Sequence, residues 1–282
     1  MKYKVGIVGQ GFVGSAIYEG LKNHHAVNTF DIVREKSTCK TLQTLVKRSR
    51  IIFVCLPTPM KKDGTCDISI VEGCLEKLQS LSEKSKSTKI IVIKSTVTPG
   101  TTDELNKRFK NLDLVFSPEF LTEANSFDDF KNQTRIILGG SNTAVANVKL
   151  MFRKVFPEIP IVKTDAKTAE MVKYFTNCFL ATKVIFANQM YEICKNADIN
   201  YERVVKSALL DTRIGQSHLM VPGPDGDRGF GGHCFPKDLN AMIAYANKHL
   251  VDSSFLSSVW EKNNSIRKNR DWESMLGRAV TE

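Results

Sequence analysis

Tyr3-Lys4-Val5-Gly6-Ile7-Val8 runs without a break into Gly9-Gln10-Gly11-Phe12-Val13-Gly14, and the order of these two pieces sets the architecture. The first reads as a strand. The second opens an amphipathic helix over about Phe12 to Lys22. A strand, a G-x-G-x-x-G turn and a helix in that order form a dinucleotide-binding fingerprint, which a glycine turn in another setting does not. Gly9 permits the tight turn, Gly11 lets a pyrophosphate approach the backbone, and Gly14 lets helix and strand pack closely. The phosphates then rest on the helix N-terminus. The next strand, Val27 to Phe30, delivers Asp31 where a ribose-binding carboxylate is expected. That carboxylate would repel a 2′-phosphate, which argues for NAD, while Arg34 and Lys36 keep NADP open.

Outward from this turn, apolar runs recur at Ile51 to Cys55, Ile90 to Ile93, Leu112 to Phe116, Arg135 to Leu138 and Pro160 to Val162. Helical stretches separate them at about Thr41 to Lys47, Ile68 to Leu81, from Pro99 onward, and Thr143 to Phe152. A run as apolar as Ile51 to Cys55 belongs to a strand buried on both faces of a parallel sheet. The fold class expected is therefore α/β, with a Rossmann-type doubly wound sheet over residues 1–165. A long helix from Ala166 to about Ala197, free of Pro and Gly, joins it to a smaller all-helical domain, the two filling residues 166–282. Helices at about Tyr201 to Leu209, Lys237 to Lys248 and Phe255 to Met275 complete that domain.

Ligands of such sheets bind beyond the carboxyl ends of the strands. Thr58, Thr96 in Lys94-Ser95-Thr96, and the carboxylates Glu119 and Glu123 all fall there, although Pro57 and Pro59 equally account for a strand end. Lys173 and Asn177, four residues apart, lie on one face of the long helix and form a cationic and amide donor pair suited to an oxyanion. Farther on, Gly229-Phe230-Gly231-Gly232-His233-Cys234-Phe235-Pro236-Lys237-Asp238 places one cysteine between a flexible glycine run and a helix opened by Pro236. A helix N-terminus favours a thiolate and the glycines leave an approach, whereas the alternative is a buried structural cysteine. The Gly/Pro-rich stretch Val221 to Arg228 reads as a binding loop.

The totals bound the function. The chain has 282 residues, enough for two domains, with 42% hydrophobic and 25% charged residues, as in soluble globular proteins. No apolar run approaches membrane-spanning length, and the N-terminus leads at once into a strand without room for a cleavable signal, so a cytoplasmic location and no membrane partner are expected. Seven cysteines without metal-binding spacing imply neither disulfides nor a metal site. The formal charge of +10 is scattered, which argues for small anionic ligands and against nucleic acid.

Taken in order, Gly9 to Gly14, Lys94-Ser95-Thr96, Pro118-Glu119-Phe120-Leu121, Lys173 with Asn177, Arg213-Ile214-Gly215 and Gly231 to Asp238 resemble the UDP-glucose/GDP-mannose dehydrogenases over nearly the whole chain. These are NAD-dependent enzymes that oxidise a nucleotide-sugar alcohol to a carboxylate in two steps. The resemblance implies that Cys234 captures a C6 aldehyde as a thiohemiacetal, which becomes a thioester on the second oxidation and is hydrolysed by water. It implies that Lys173 and Asn177 stabilise the oxyanion, that Asp238 lies near the water used in proton transfer, and that Glu119 is the base for hydrolysis. Thr96 and Glu123 would line the nicotinamide and substrate region. Gly9, Gly11, Phe12, Val13, Gly14, Asp31 and Thr58 would contact the cofactor, and Phe120, Leu121, Arg213 and Gly231 the substrate.

UDP-glucose is the substrate expected, with another UDP- or GDP-sugar as the alternative. Two departures bear on this. Family members usually continue into a further Rossmann-type domain that covers the nucleotide, and the loop from Val221 to Arg228 differs from the shorter one of some relatives. A homodimer through the helices after Ala166 is expected. Two other readings are a nucleotide-binding or assembly protein without turnover, and a hydroxyacid dehydrogenase of the 6-phosphogluconate kind, which needs no nucleophilic cysteine.

Overall fold

The computed structural model describes residues 2–84 and 88–281. The chain divides into two compact units, one of Met1–Thr58 with Ile68–Lys173, the other of Pro59–Asp67 with Tyr174–Glu282.

The first unit alternates strands and helices: β1 (Lys4–Val8), α1 (Phe12–Leu21), β2 (Ala26–Phe30), α2 (Leu42–Arg48), β3 (Ile51–Val54), α3 (Ser69–Lys84), β4 (Lys89–Ile93) and α4 (Thr101–Arg108). It continues with β5 (Leu112–Phe116), α5 (Ser126–Lys131), β6 (Ile136–Gly140), α6 (Asn142–Arg153) and β7 (Ile161–Thr164). The seven strands form one sheet in the order β2-β1-β3-β4-β5-β6-β7. From β2 to β5 all neighbours are parallel; β6 runs against β5, and β7 is parallel to β6.

Alternation along the strands explains the two packed faces. Val5, Ile7, Ile51, Phe53 and Val92 meet α1 and α6 through Ile17, Leu21, Val148 and Phe152. Val8, Ile52, Val54, Ile91 and Ile93 meet α2, α3 and α4 through Leu45, Leu75, Leu78 and Leu105. The register then aligns the strand ends. Val8 pairs with Phe30 and Val54, Val54 with Ile93, and Ile93 with Phe116. Gly9, Asp31, Cys55, Lys94 and Ser117 consequently share one carboxyl edge. The helix α5 has no counterpart in the sequence reading. It seats Phe130 against Gly20, where a Cβ would stand 2.2 Å from the ring.

A helix α7 (Ala166–Asn196) starts in the first unit and continues into the second. The second unit adds α8 (Tyr201–Ala208), α9 (Cys234–Lys248), α10 (Ser254–Ile266) and a 3-10 turn over Asp271–Ser274. Its core gathers Cys178, Ala181, Ile185, Phe230, Leu239 and Val259. Met60 pairs with Cys66 and with Val280, so the Pro59–Asp67 segment belongs to this unit by backbone pairing.

Two helix limits differ from the sequence reading. The helix expected from Lys237 starts at Cys234, because a proline in the first turn leaves no intrahelical hydrogen bond unmade. The helix expected to reach Met275 ends at Ile266, where Arg267 turns extended, ψ 124°. Its guanidinium is buried and lies 2.7 Å from Asp225, 3.8 Å from Asp227 and 3.6 Å from Asp271. A buried cation needs these partners, and meeting them outweighs the helical periodicity. Among the described residues there is no disulfide, no membrane-length apolar helix and no cluster of metal-ligating side chains.

Candidate active site

The glycine turn after β1 is shaped by close approach. Gly9 has φ +89°, and a Cβ there would stand 2.3 Å from the Cys55 carbonyl oxygen. A Cβ on Gly14 would be 1.9 Å from the Gly9 carbonyl oxygen. Gly11 is different: its Cβ would meet nothing within 4 Å. Gly11 is also the N-cap of α1, and no side chain caps that terminus. Asp31 is fixed beside the turn, Oδ2 accepting from the Gln10 amide at 2.6 Å and Oδ1 from the Val33 amide at 2.8 Å. An open glycine, an uncapped helix N-terminus and an oriented carboxylate together fit a dinucleotide, the diphosphate on α1 and a ribose on Asp31.

The loops beyond β3, β4 and β5 are stitched to one another. Ser95 Oγ accepts from the Leu56 amide at 2.9 Å, and Thr58 Oγ1 donates to the Thr96 carbonyl at 2.8 Å. Lys94 Nζ donates to the Pro118 carbonyl at 2.9 Å and reaches Ser117 Oγ at 3.5 Å. Glu119 is buried, and its Oε1 accepts from the Leu121 amide. Lys173, also buried, donates to the Glu119 carbonyl and holds its ammonium 5.6 Å from the Phe120 ring centre. Burial lowers the Lys94 ammonium, Glu119 and Cys55 oppose that, and Lys173 adds to it. Burial pushes the Cys55 thiol up to about 12.

In the second unit Cys234 is the first residue of α9 and is half-buried. The loop before it is held by α10 and the turn beyond. Asn263 accepts from the Phe230 amide at 2.8 Å and donates to the Phe230 carbonyl at 3.0 Å, while the Gly232 amide donates to both Asp271 oxygens at 3.1 Å. One turn after Cys234, Asp238 is fully buried. Its Oδ2 accepts from Asn177 Nδ2 at 2.6 Å, and its Oδ1 pairs with Lys237 Nζ. Burial works to lower the Lys237 ammonium, but Asp238, with Cys66 and Cys234, leaves it raised.

The first unit thus brings together Glu119, Phe120 and Lys173, and separately Thr58 with Thr96. The second brings together Asn177, Asp238 and the start of α9. Glu123 is exposed. Arg213 is exposed and paired locally with Asp211 at 2.5 Å, apart from the buried cluster. Gly231 is demanded by its own neighbours, since a Cβ would be 2.2 Å from Arg267 Nη2 and 2.4 Å from Asp271 Oδ1. Sequence reasoning gave no role to Lys94 or Lys237. The signal for Lys237 was an adjacent pair of opposite charges leading into an apolar helix face; for Lys94 it was a cation directly behind the apolar run Ile90 to Ile93.

Residues 31–159 match the NAD binding domain of the UDP-glucose/GDP-mannose dehydrogenase family, and residues 167–265 match the central domain of the same family. The chain belongs to the UDP-glucose/GDP-mannose dehydrogenase family. As the cofactor of its NAD binding domain, this family member uses NAD. A UDP-glucose 6-dehydrogenase of Rickettsia bellii is 32% identical over 269 residues, an alignment that takes in 92% of this chain and 58% of that protein. The chain therefore spans less than two thirds of the length of that relative. A UDP-glucose dehydrogenase structure from Pyrobaculum islandicum superposes with a TM-score of 0.83 at 24% identity, covering 94% of this chain and 68% of the other. A 3-hydroxyisobutyrate dehydrogenase from Mycobacterium tuberculosis superposes at 0.74 with 14% identity, covering 98% and 94%. A fold shared so widely names no substrate for a family member; the side chains have to.

Proposed function

We propose that this chain is an NAD-dependent nucleotide-sugar dehydrogenase that converts UDP-glucose to UDP-glucuronate, with Cys234 as the covalent nucleophile. One observation carries the reading: Cys234 opens α9, and one turn behind it the buried Asp238 holds both Asn177 and Lys237. A structural cysteine would need no buried, paired charge at that place.

Bound NAD supplies the hydride acceptor for both oxidations. The Cys234 thiolate adds to the C6 aldehyde carbon, forming the C–S bond and an oxyanion. The Lys173 ammonium and the Asn177 amide stabilise that oxyanion, the amide oriented by its bond to Asp238. After the second oxidation the sugar is held as a thioester, which keeps it in place and activated. Water then attacks the thioester carbon as Glu119 takes its proton; the C–S bond breaks, and thiolate and carboxylate are released. Each alcohol gives up two hydrides and three protons and takes in one water.

Mixing the protein with NAD and UDP-glucose tests this by NADH absorbance, and two NADH per sugar consumed are expected. A ratio of one would replace the two-step reading with a single alcohol oxidation. Binding of NAD without reduction by any UDP- or GDP-sugar would overturn turnover altogether.

A further inference from the structure

Lys94 takes no part in the steps above, yet its ammonium is placed among the groups that matter most to Glu119. It projects from the end of β4 toward the loop after β5, donating to the Pro118 carbonyl at 2.9 Å with Ser117 Oγ at 3.5 Å. Lys173 donates to the next carbonyl, that of Glu119 itself. Two cations from different elements therefore grip consecutive peptide oxygens on either side of the Glu119 Cα. The charged groups facing Lys94 are Glu119, Cys55 at the end of β3, and Lys173 on α7. A buried thiol pushed up to about 12 is neutral at physiological pH, and Glu119 is the one carboxyl group of the set.

Placing an ammonium here is costly, since a buried cation loses hydration and a like charge on Lys173 stands nearby. Accepting one hydrogen bond at the Pro118 carbonyl needs only a neutral donor. The positive charge is accounted for by the Glu119 carboxylate, which it attracts while its hydrogen bond fixes the peptide on which that carboxylate is mounted. We propose that Lys94 is a positioning residue for Glu119, holding the Ser117–Glu119 loop so that the carboxylate is presented for thioester hydrolysis. The catalytic part of this statement rests on the dehydrogenase reading; the positional part does not.

The Leu121 amide reports on Glu119 directly, because it donates to Glu119 Oε1. In Lys94→Met its hydrogen exchange should quicken by about tenfold, the loss of one hydrogen bond to a charged group, while amides of β1 keep their protection. Unchanged exchange at Leu121 in a folded Lys94→Met protein would overturn the proposal. In turnover with UDP-glucose the same variant should lose about tenfold in kcat with KM for the sugar unchanged, and quenched samples should show Cys234 acylated by intact mass. A merely structural role moves neither the kcat and KM split nor the acyl-enzyme level, so wild-type values of both would also overturn it. Should Lys94→Met not fold, Lys94→Gln and Lys94→Arg take its place; Gln keeps a donor without charge and Arg keeps both, so exchange at Leu121 should be faster in Gln than in Arg, and equal rates count against the charge. If the unaltered protein reduces no NAD with any nucleotide sugar, the dehydrogenase reading fails and the exchange rates alone decide the placement of Glu119.

Discussion

The glycine turn before α1 and the glycine turn before α9 look alike as sequence and differ in what they make room for. Each contains a glycine in the left-handed region, Gly9 at φ +89° and Gly232 at φ +70°, and each feeds a helix N-terminus. At the first, a Cβ on Gly11 would enter open space. At the second, a Cβ on Gly229 would strike Asn263 Oδ1 at 2.4 Å, and one on Gly231 would strike Arg267 and Asp271. Gly11 in the first turn, like Gly232 in the second, faces open space, whereas Gly9 and Gly14 are bare for the chain's own backbone and Gly229 and Gly231 for its side chains. What distinguishes an open glycine from a packing glycine is the space beyond it, not its spacing.

The comparison is broken most severely at the residue the second turn delivers. Cys234→Ser leaves the first turn of α9 intact, so the melting temperature should hold while carboxylate formation from UDP-glucose falls roughly 10³-fold or more. Rapid-quench product analysis measures this, and full activity in the serine variant would move the chain to single-step alcohol oxidation.

A third helix start extends the comparison, because at α4 the chain fills the terminus with its own carboxylate. Glu170 is fully buried and accepts from the Gly100 amide at 2.5 Å and the Thr102 amide at 2.7 Å. Burial, against those hydrogen bonds, raises its pKa from 4.5 to about 7. The folded state therefore holds a proton that the unfolded chain has lost between these values. Its contribution to stability is complete below pH 4.5 and is lost as pH rises to about 7, a change of about 3 kcal/mol. Urea midpoints measured across that range should fall with pH in the unaltered protein and flatten in Glu170→Gln; equal slopes would show that Glu170 is ionised throughout.

The smallest effects sharpen the contrast itself. Gly231→Ala should cost about 1–3 kcal/mol of stability and leave NAD affinity alone, as overpacking does. Gly11→Ala should leave stability alone and weaken NAD binding by about tenfold, since only the bound diphosphate meets the new methyl group. Thermal melts and calorimetry on the two variants decide it, and the opposite pattern would reverse the roles assigned to Gly11 and Gly231.

Much of the first unit was legible because single residues decide it locally. Gly9, Gly14 and the unbroken Ile51 to Val54 and Lys89 to Ile93 strands announce a buried parallel sheet, and the fingerprint with Asp31 announces the cofactor. The reversal at β6 was not legible, as a strand's apolar pattern carries no direction. Neither was the end of α10, which Arg267 sets by reaching Asp225, about forty residues back in sequence. The candidate residues Lys173, Asn177, Glu119 and Cys234 could be picked out by type and position. Their tethers could not: the Lys94 contact with Pro118 and the Asp238 contact with Asn177 join positions that only the folded backbone brings together.

Arg267 also separates two tasks that share one stretch of chain. Through Asp225 and Asp227 it anchors the Val221 to Arg228 loop, and through Asp271 it stands against Gly231, just before the cysteine. Pro224, exposed just before the first anchor, is not among the arginine's partners, and Gly226, between the anchors, is held by its own amide on the Gly223 carbonyl at 2.9 Å. Substitution at Pro224 therefore leaves the arginine's partners in place, while the footing of Cys234 stays where the arginine has bolted it.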